Sequence, residues 1–233
     1  MCFTPTYLNK ALIIIAFFLT SHVFGQYAKY FPNQFNSAIH FFHENQSSFQ
    51  KIADSTGKNV QFVFSIVAPE IGHYSWMKNS IESNSLKVLY VQLGHGYADF
   101  SVGYFQMKPS FIERLEMEIQ QNDDLKKRYS KCIISSNEDR LKRIERIKRL
   151  ESLEWQLYYL AAFIEITQLK FPQVFDNPVN ELKFYSTAYN TGFQKSVSQI
   201  QHEYERKRFP NMSERKFNYS SVSIEYYRNL KSE

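Results

Sequence analysis

Apolar residues recur with a helical period along much of the chain. Residues 36–52 carry apolar side chains at roughly helical spacing, namely Ile39, Phe42, Phe49 and Ile52. This spacing predicts an amphipathic helix that packs against the segment following it. Residues 59–68, NVQFVFSIVA, are apolar enough to be buried, and Pro69 disfavours helical geometry in the residue before it. We therefore expect a buried segment that ends at Pro69.

The aromatic stretch at residues 100–111, FSVGYFQMKPSF, contains a glycine, a glutamine and a proline. A core strand alternates apolar and polar residues and avoids proline, so this stretch fits a strand poorly. It predicts a turn that leads into a helix over residues 111–118, with Pro109 near the helix start and Ser110 as its cap.

Two adjoining helices are predicted further along. Residues 137–153 place leucine and isoleucine three positions apart with alternating charges between them, which indicates a solvated helix face. Ser136 and Asp139 have the spacing of a capping box at its start. Residues 155–171 are mostly apolar and predict a buried helix that ends before Pro172.

One segment has the composition of a strand. Residues 86–93, LKVLYVQL, are bounded by Asn84 and Gly94, which are turn formers. Because no repeat or flexible linker interrupts the chain, residues 26–233 are expected to form a single domain. The last part, from about residue 204 to 233, is basic and rich in tyrosine, and it is expected to be an extension of that domain.

The first 25 residues have the features of an export signal. Lys10 precedes ALIIIAFFLT, which is too short to span a bilayer comfortably, and Val23, Phe24 and Gly25 suit a cleavage site. We expect residues 1–25 to be removed, leaving no membrane span; an uncleaved anchor is the alternative. The protein is then secreted or periplasmic. Cys132 becomes its single cysteine, which excludes an internal disulfide and a thiolate metal site.

The charge balance is mildly basic. The chain has 28 basic and 23 acidic residues, and removing Lys10 lowers its net charge from +5 to +4. This favours an anionic polymer as partner. Nucleic acid is the weaker candidate, because no recognition motif is present and the bases of residues 137–153 are interleaved with acids. His40 and His43 lie three apart but have no nearby partner ligands, so no metal is predicted.

Three short motifs follow one another in a distinctive order. They are Glu70 after the buried segment, Gly103-Tyr104-Phe105-Gln106-Met107-Lys108-Pro109-Ser110, and Ala188-Tyr189-Asn190-Thr191-Gly192. In this order, with an apolar helix before the third, they resemble the lytic transglycosylase and goose-type lysozyme superfamily. The resemblance covers roughly residues 58–195. It implies a mainly α, lysozyme-like domain with a small sheet element, exported to the bacterial envelope, that cleaves peptidoglycan glycan strands without a metal or cofactor.

The resemblance also implies roles for individual residues. Glu70 is the catalytic acid at the end of a buried helix. Gln106 and Met107 line the substrate cleft. The Tyr189 hydroxyl contacts the catalytic carboxyl, and Asn190 lies near the substrate.

The residues themselves support an acid at position 70. A carboxyl at the C-terminal end of a helix faces the negative end of the dipole, and apolar neighbours such as Phe64 and Val67 disfavour its ionised form. Both effects raise its pKa, and a carboxyl protonated near neutrality can protonate a glycosidic oxygen. Gly103 is expected to let the backbone turn beside a bound sugar, and the Gln106 amide to donate and accept hydrogen bonds there.

Whether a second carboxylate takes part decides between two reactions. A hydrolase usually needs one, and Asp99 is the best candidate, with Glu82 behind it. Asp99 is more simply explained as a cap of a turn. Because only Glu70 matches the family pattern, a lytic transglycosylase is favoured over a hydrolase. Glu70-Ile71 stands where the family has Glu-Ser, which motivates a second hypothesis, a non-catalytic wall-binding or envelope assembly protein.

Overall fold

The computed structural model describes residues 26–77, 82–172 and 175–232, so the predicted leader lies outside the described residues. The fold is mainly helical, with one small antiparallel sheet. The α-helices in chain order are α1 (Gln26–Tyr30), α2 (Pro32–Thr56), α3 (Val60–Met77), α4 (Glu82–Leu93), α5 (Pro109–Gln121), α6 (Asp123–Arg128), α7 (Asp139–Leu150), α8 (Leu153–Lys170), α9 (Pro178–Thr191), α10 (Val197–His202) and α11 (Tyr219–Ser232). The strands are β1 (Lys207–Phe209) and β2 (Phe217–Asn218).

The amphipathic helix predicted at residues 36–52 is confirmed as α2. Pro32 stands in its first turn, and Gly57 ends it in a left-handed conformation with φ of 68°, donating its N–H to the Ala53 carbonyl. Phe42 and Phe49 are buried on the face that packs against α3. The predicted packing partner is therefore also found.

Helix α3 does not end at Pro69, as the sequence predicted, but runs through it to Met77. A proline inside a helix removes one N–H donor and costs stability, so a tertiary gain must offset it. That gain comes from burial, because Phe62, Phe64 and other side chains of α3 are almost fully enclosed by α2, α9 and α11. In the same turn the Tyr219 hydroxyl of α11 donates to the Ile66 carbonyl at 3.1 Å.

The strand predicted at residues 86–93 is wrong, since these residues lie in α4. Leu86 and Tyr90, four positions apart, lie on the same face of α4. Tyr90 belongs to a small apolar cluster with Ile147 of α7, and Leu86 packs against this cluster. Val88 and Leu89 remain exposed. A helical period thus fits the burial better than the strand period that β-favouring residues suggested.

The helices predicted at 111–118, 137–153 and 155–171 are confirmed as α5, α7 and α8, but their predicted caps are wrong. Lys108, not Ser110, is the N-cap of α5. Glu138 is the N-cap of α7 without a side-chain cap. The Ser136 hydroxyl accepts from the Glu138 N–H at 3.2 Å instead of forming a capping box.

The C-terminal tail is part of the core rather than an extension of it. Strands β1 and β2 pair in antiparallel fashion, and α11 buries Val222, Tyr226 and Leu230 against α3 and α9. The Glu225 carboxylate accepts hydrogen bonds from the Tyr27 and Ala28 N–H groups at 3.0 and 2.7 Å, which ties α11 to α1. The small sheet therefore lies in this tail and not at residues 86–93.

The described part of the chain has neither a membrane-spanning helix nor a metal-binding cluster. None of its helices combines the length and the apolar character needed to cross a membrane. It also holds no group of three or more His, Cys, Asp or Glu side chains arranged to bind a metal ion. The main apolar cluster extends from Tyr27 to Leu230, so the two ends of this described part share one core.

Candidate active site

One cavity of about 490 Å³ brings the three sequence motifs together. Its walls come from α3, the loop before α5, the first turns of α5, the end of α9 and the segment 208–212. Six residues to which the sequence analysis gave a role at the site line it: Glu70, Asp99, Gln106, Met107, Tyr189 and Asn190. Segments separated by more than a hundred positions in the chain therefore meet at one site.

Glu70 is partly buried and faces this cavity from α3. Burial raises the pKa of its carboxyl to about 8, against a smaller lowering by the Lys108 ammonium. The helix dipole does not contribute in the predicted way, because Glu70 lies inside α3 rather than at its C-terminal end. No hydrogen bond, in either direction, joins this carboxyl to the residues that the structure describes, so its proton is available to a ligand.

The turn predicted between residues 100 and 111 is present and tightly closed. Val102 and Met107 exchange both backbone hydrogen bonds, at 3.0 and 3.1 Å. Gln106 has a positive φ of 49°, which is uncommon outside glycine, so the fold holds it in place. Met107 is only 2% exposed and belongs mostly to the core, although it reaches the cavity wall.

Gly103 turns the backbone as predicted, and it also serves a purpose that the sequence did not show. Its φ is 75°, and an added Cβ would lie 1.8 Å from the Gln156 Nε2 atom and 2.5 Å from the Leu150 carbonyl oxygen. The glycine thus also allows close packing against α8 and its preceding turn. Gln156 donates to the Leu150 carbonyl at 2.6 Å and accepts the Phe105 N–H at 2.7 Å.

Gln156 is a positioning residue that sequence reasoning missed. It is fully buried and fastens the turn that carries Gln106 to the start of α8. A signal was present in the sequence, because this glutamine lies within an otherwise apolar helical segment. A buried polar side chain in such a place must find partners, and here they are backbone groups of the site.

The amide of Gln106 has hydrogen-bonding groups left for a ligand. Its Nε2 donates one N–H to the Gly103 carbonyl at 2.6 Å, while its Oε1 is buried and has no hydrogen-bond partner within the described residues. Since an amide NH2 has two N–H groups, the second one and the oxygen keep the predicted ability both to donate and to accept. A hydroxyl or amide N–H of a ligand would satisfy this oxygen.

The predicted contact between the Tyr189 hydroxyl and the catalytic carboxyl is replaced by another bond. The hydroxyl donates to the Phe105 carbonyl at 2.6 Å and so fastens α9 to the glutamine turn. Burial raises the pKa of Tyr189, and the nearby negative charge of an ionised Glu70 raises it further. Tyr189 therefore lies near Glu70 but positions the turn. Asn190 is exposed at the rim of the cavity.

Asp99 is engaged in a structural role. Its carboxylate accepts the Ser110 N–H at 3.1 Å and the Ser110 hydroxyl at 2.8 Å, and the Lys108 ammonium lies 3.9 Å away. These bonds satisfy the start of α5, as expected of a cap. Glu82, the weaker candidate, begins α4, and the description of the structure does not extend to its side chain.

We expect Asp99→Asn to lower the free energy of unfolding by about 1 kcal/mol, because the neutral amide accepts more weakly at the helix start. If the cavity cleaves glycan, as the sequence predicts, and Asp99 only caps α5, the rate of that cleavage should stay within about threefold of wild type, far from the loss that follows removal of a catalytic group. Urea unfolding and a wall-digestion assay measure the two quantities. A hundredfold loss of cleavage in a folded variant would contradict the structural role.

The segment 208–212 forms a wall that no sequence signal indicated. Arg208, Phe209 and Met212 face the cavity from the C-terminal hairpin. On α3, His73 lies one turn beyond Glu70 and shares a hydrogen bond of 2.6 Å with the Tyr27 hydroxyl. Burial lowers the pKa of His73 to about 4, so its ring is neutral at pH 7.

Comparisons with protein-family models, with curated proteins and with solved structures each found no match. What the cavity can do therefore follows from its own residues. It presents one carboxyl that is protonated at neutral pH, one buried amide oxygen without a partner, and cationic side chains at Lys108, Arg114 and Arg208. This combination suits a polar, partly anionic ligand that receives a proton.

Proposed function

We propose that this protein is an exported peptidoglycan lytic transglycosylase with a lysozyme-like fold, in which Glu70 acts first as general acid and then as base. One observation carries the proposal: a glutamic acid with a pKa near 8 lines the same cavity as the glutamine turn and the Tyr-Asn pair. These are the three motifs on which the resemblance to the superfamily depends. Cleavage would take place in the bacterial envelope, between MurNAc and GlcNAc units of the glycan strand.

The reaction needs a proton donor at the glycosidic oxygen. Protonated Glu70 gives its proton to this oxygen as the bond to the sugar C1 breaks, and positive charge develops at C1. The N-acetyl group of the substrate assists at C1. The Glu70 carboxylate then takes a proton from the muramyl hydroxyl, whose oxygen bonds to C1 and closes an anhydro ring. Glu70 ends the cycle protonated, as it began.

The arrangement of acids supports this route over hydrolysis. Hydrolases that use two carboxylates hold them roughly 5 to 9.5 Å apart and leave the second one free to attack or to activate water. Glu70 and Asp99 are the acids that line the cavity, and Asp99 is occupied by Ser110 and Lys108. One glutamate acting twice therefore needs no further group.

A second function, glycan binding without cleavage, is favoured by one specific observation. The Tyr189 hydroxyl bonds to the Phe105 carbonyl instead of orienting the Glu70 carboxyl. A cavity of this kind could hold a sugar chain while its acid stays poorly aligned. Such a protein would bind wall glycan and release nothing from it.

Digestion of purified wall sacculi tests the proposal. The exported protein should release soluble muropeptides, and mass spectrometry should find anhydro ends on the fragments. Reducing ends in place of anhydro ends would indicate a hydrolase and overturn the transglycosylase assignment. Binding of sacculi without any release would favour the non-catalytic alternative.

The pH dependence of cleavage gives a separate prediction. Because the acid must be protonated, we expect the rate to hold steady below about pH 8 and to fall up to tenfold per unit above it. The Lys108 ammonium lowers the pKa of Glu70, so Lys108→Gln should move the falling limb to higher pH. Lys126→Gln, an exposed change on α6, serves as the control and should leave the profile in place. A falling limb near pH 4 to 5 would contradict a buried acid.

A further inference from the structure

A second cavity, of about 730 Å³, lies beside the C-terminal hairpin and is lined by four cationic side chains. These are Lys207, Arg215, Lys216 and Arg228. Lys207 faces this cavity, whereas its neighbour Arg208 faces the cavity of Glu70. Because these two residues are neighbours on β1, the strand lies between the two cavities.

The four cations are exposed, and the Arg215 guanidinium lies over the Tyr30 ring, 4.3 Å from its centroid. Within the described parts of the chain, none of them forms an ion pair with a carboxylate. Glu225, an acid in the lining, already accepts two backbone N–H groups of α1, at 3.0 and 2.7 Å. Four like charges around one concavity repel one another, and an anion placed between them would relieve that repulsion.

The shape and chemistry of this basic pocket favour a phosphate with an organic portion attached. The two guanidinium groups, of Arg215 and Arg228, match phosphate oxygens in a forked geometry, and the lysines add point charges. Phe217, which is buried, and Ile224, which is partly buried, give the lining an apolar part. The volume exceeds what a bare ion would fill.

The position of the pocket indicates where such a phosphate would come from. Gln26, which directly follows the apolar segment predicted as the leader, is part of the lining. The side of the domain on which Gln26 lies therefore carries the four cations. We propose that the basic pocket binds the phosphate of an anionic lipid headgroup and holds the domain against the membrane surface.

This inference is independent of the chemistry of Glu70 and would survive its failure. The test uses the form of the full chain recovered after export, mixed with phosphatidylcholine vesicles that contain or lack phosphatidylglycerol. We expect binding only to the anionic vesicles. Each Lys or Arg near such a surface contributes about fivefold to binding, so Arg215→Ala with Arg228→Ala should weaken it about thirtyfold.

A control matched in charge is available on α7. Arg140→Ala with Lys148→Ala removes two exposed cations outside the basic pocket and should leave most of the vesicle binding intact. Titration with glycerol 1-phosphate forms the second arm. The protein could bind only this soluble probe, and only when Arg215 and Arg228 are present. That result would support the phosphate site and would show that its ligand is a soluble phosphate. Equal losses in both double variants, or no binding of either probe, would overturn the proposal.

Discussion

Glu70→Gln is expected to lower the rate of glycan cleavage by about a thousandfold, because glutamine fills the same space but cannot donate or accept the transferred proton. The measurement is the release of muropeptides from wall sacculi per unit time. Glu44→Gln, on the exposed face of α2, is the matched control and should cleave at the wild-type rate. Equal release by wild type and the Glu70 variant would exclude the enzymatic function.

The Glu70→Gln variant should be more stable than wild type at neutral pH. A loss of cleavage in this variant would then not be caused by unfolding. The native pKa of about 8 lies above the ordinary 4.5, so the native state keeps a proton that the unfolded chain releases between these values. Native stability is therefore fully present below pH 4.5 and decreases as the pH rises towards 8. Glutamine has no such dependence, and we expect it to add about 2 kcal/mol at pH 7, after allowing for the partial exposure of Glu70.

Arg146→Met is expected to lower the free energy of unfolding by about 3 to 5 kcal/mol, because it leaves the buried Glu116 carboxylate and the partly buried Glu113 carboxylate without their cation. The Arg146 side chain is 6% exposed. Its guanidinium donates to both Glu116 oxygens at 3.0 and 2.7 Å, to a Glu113 oxygen at 3.0 Å and to the Tyr90 hydroxyl at 2.6 Å. These bonds join α4, α5 and α7. Urea unfolding at pH 7 gives the value.

Two further variants show whether unpaired charge causes this loss. Arg140→Met, on an exposed position of the same helix, should change stability by less than about 0.5 kcal/mol. Adding Glu116→Leu to Arg146→Met removes the most buried of the stranded carboxylates and should recover most of the loss. An Arg146→Met variant as stable as the Arg140 control would show that the network contributes nothing.

Local sequence patterns determined four of the described helices and the composition of the site. The apolar period of residues 36–52, the charged period of 137–153 and the apolar run of 155–171 predicted α2, α7 and α8, because a repeated position within a helix always faces the same way. The apolar residues before Glu70 predicted a carboxyl with a raised pKa, since burial disfavours charge wherever the helix ends. The three motifs identified five residues that line one cavity, and the search for a second carboxylate added Asp99.

The tertiary structure decided the partners of these residues. Gly103 accommodates Gln156, the Tyr189 hydroxyl bonds to Phe105, and residues 208–212 complete the wall beside Glu70. Tertiary packing also stabilises α3 beyond Pro69 and the helical conformation of residues 86–93. A local sequence pattern shows which side chains of a helix face the core. Which distant groups those side chains contact in the core depends on the folding of the whole chain, and the neighbouring residues do not encode it.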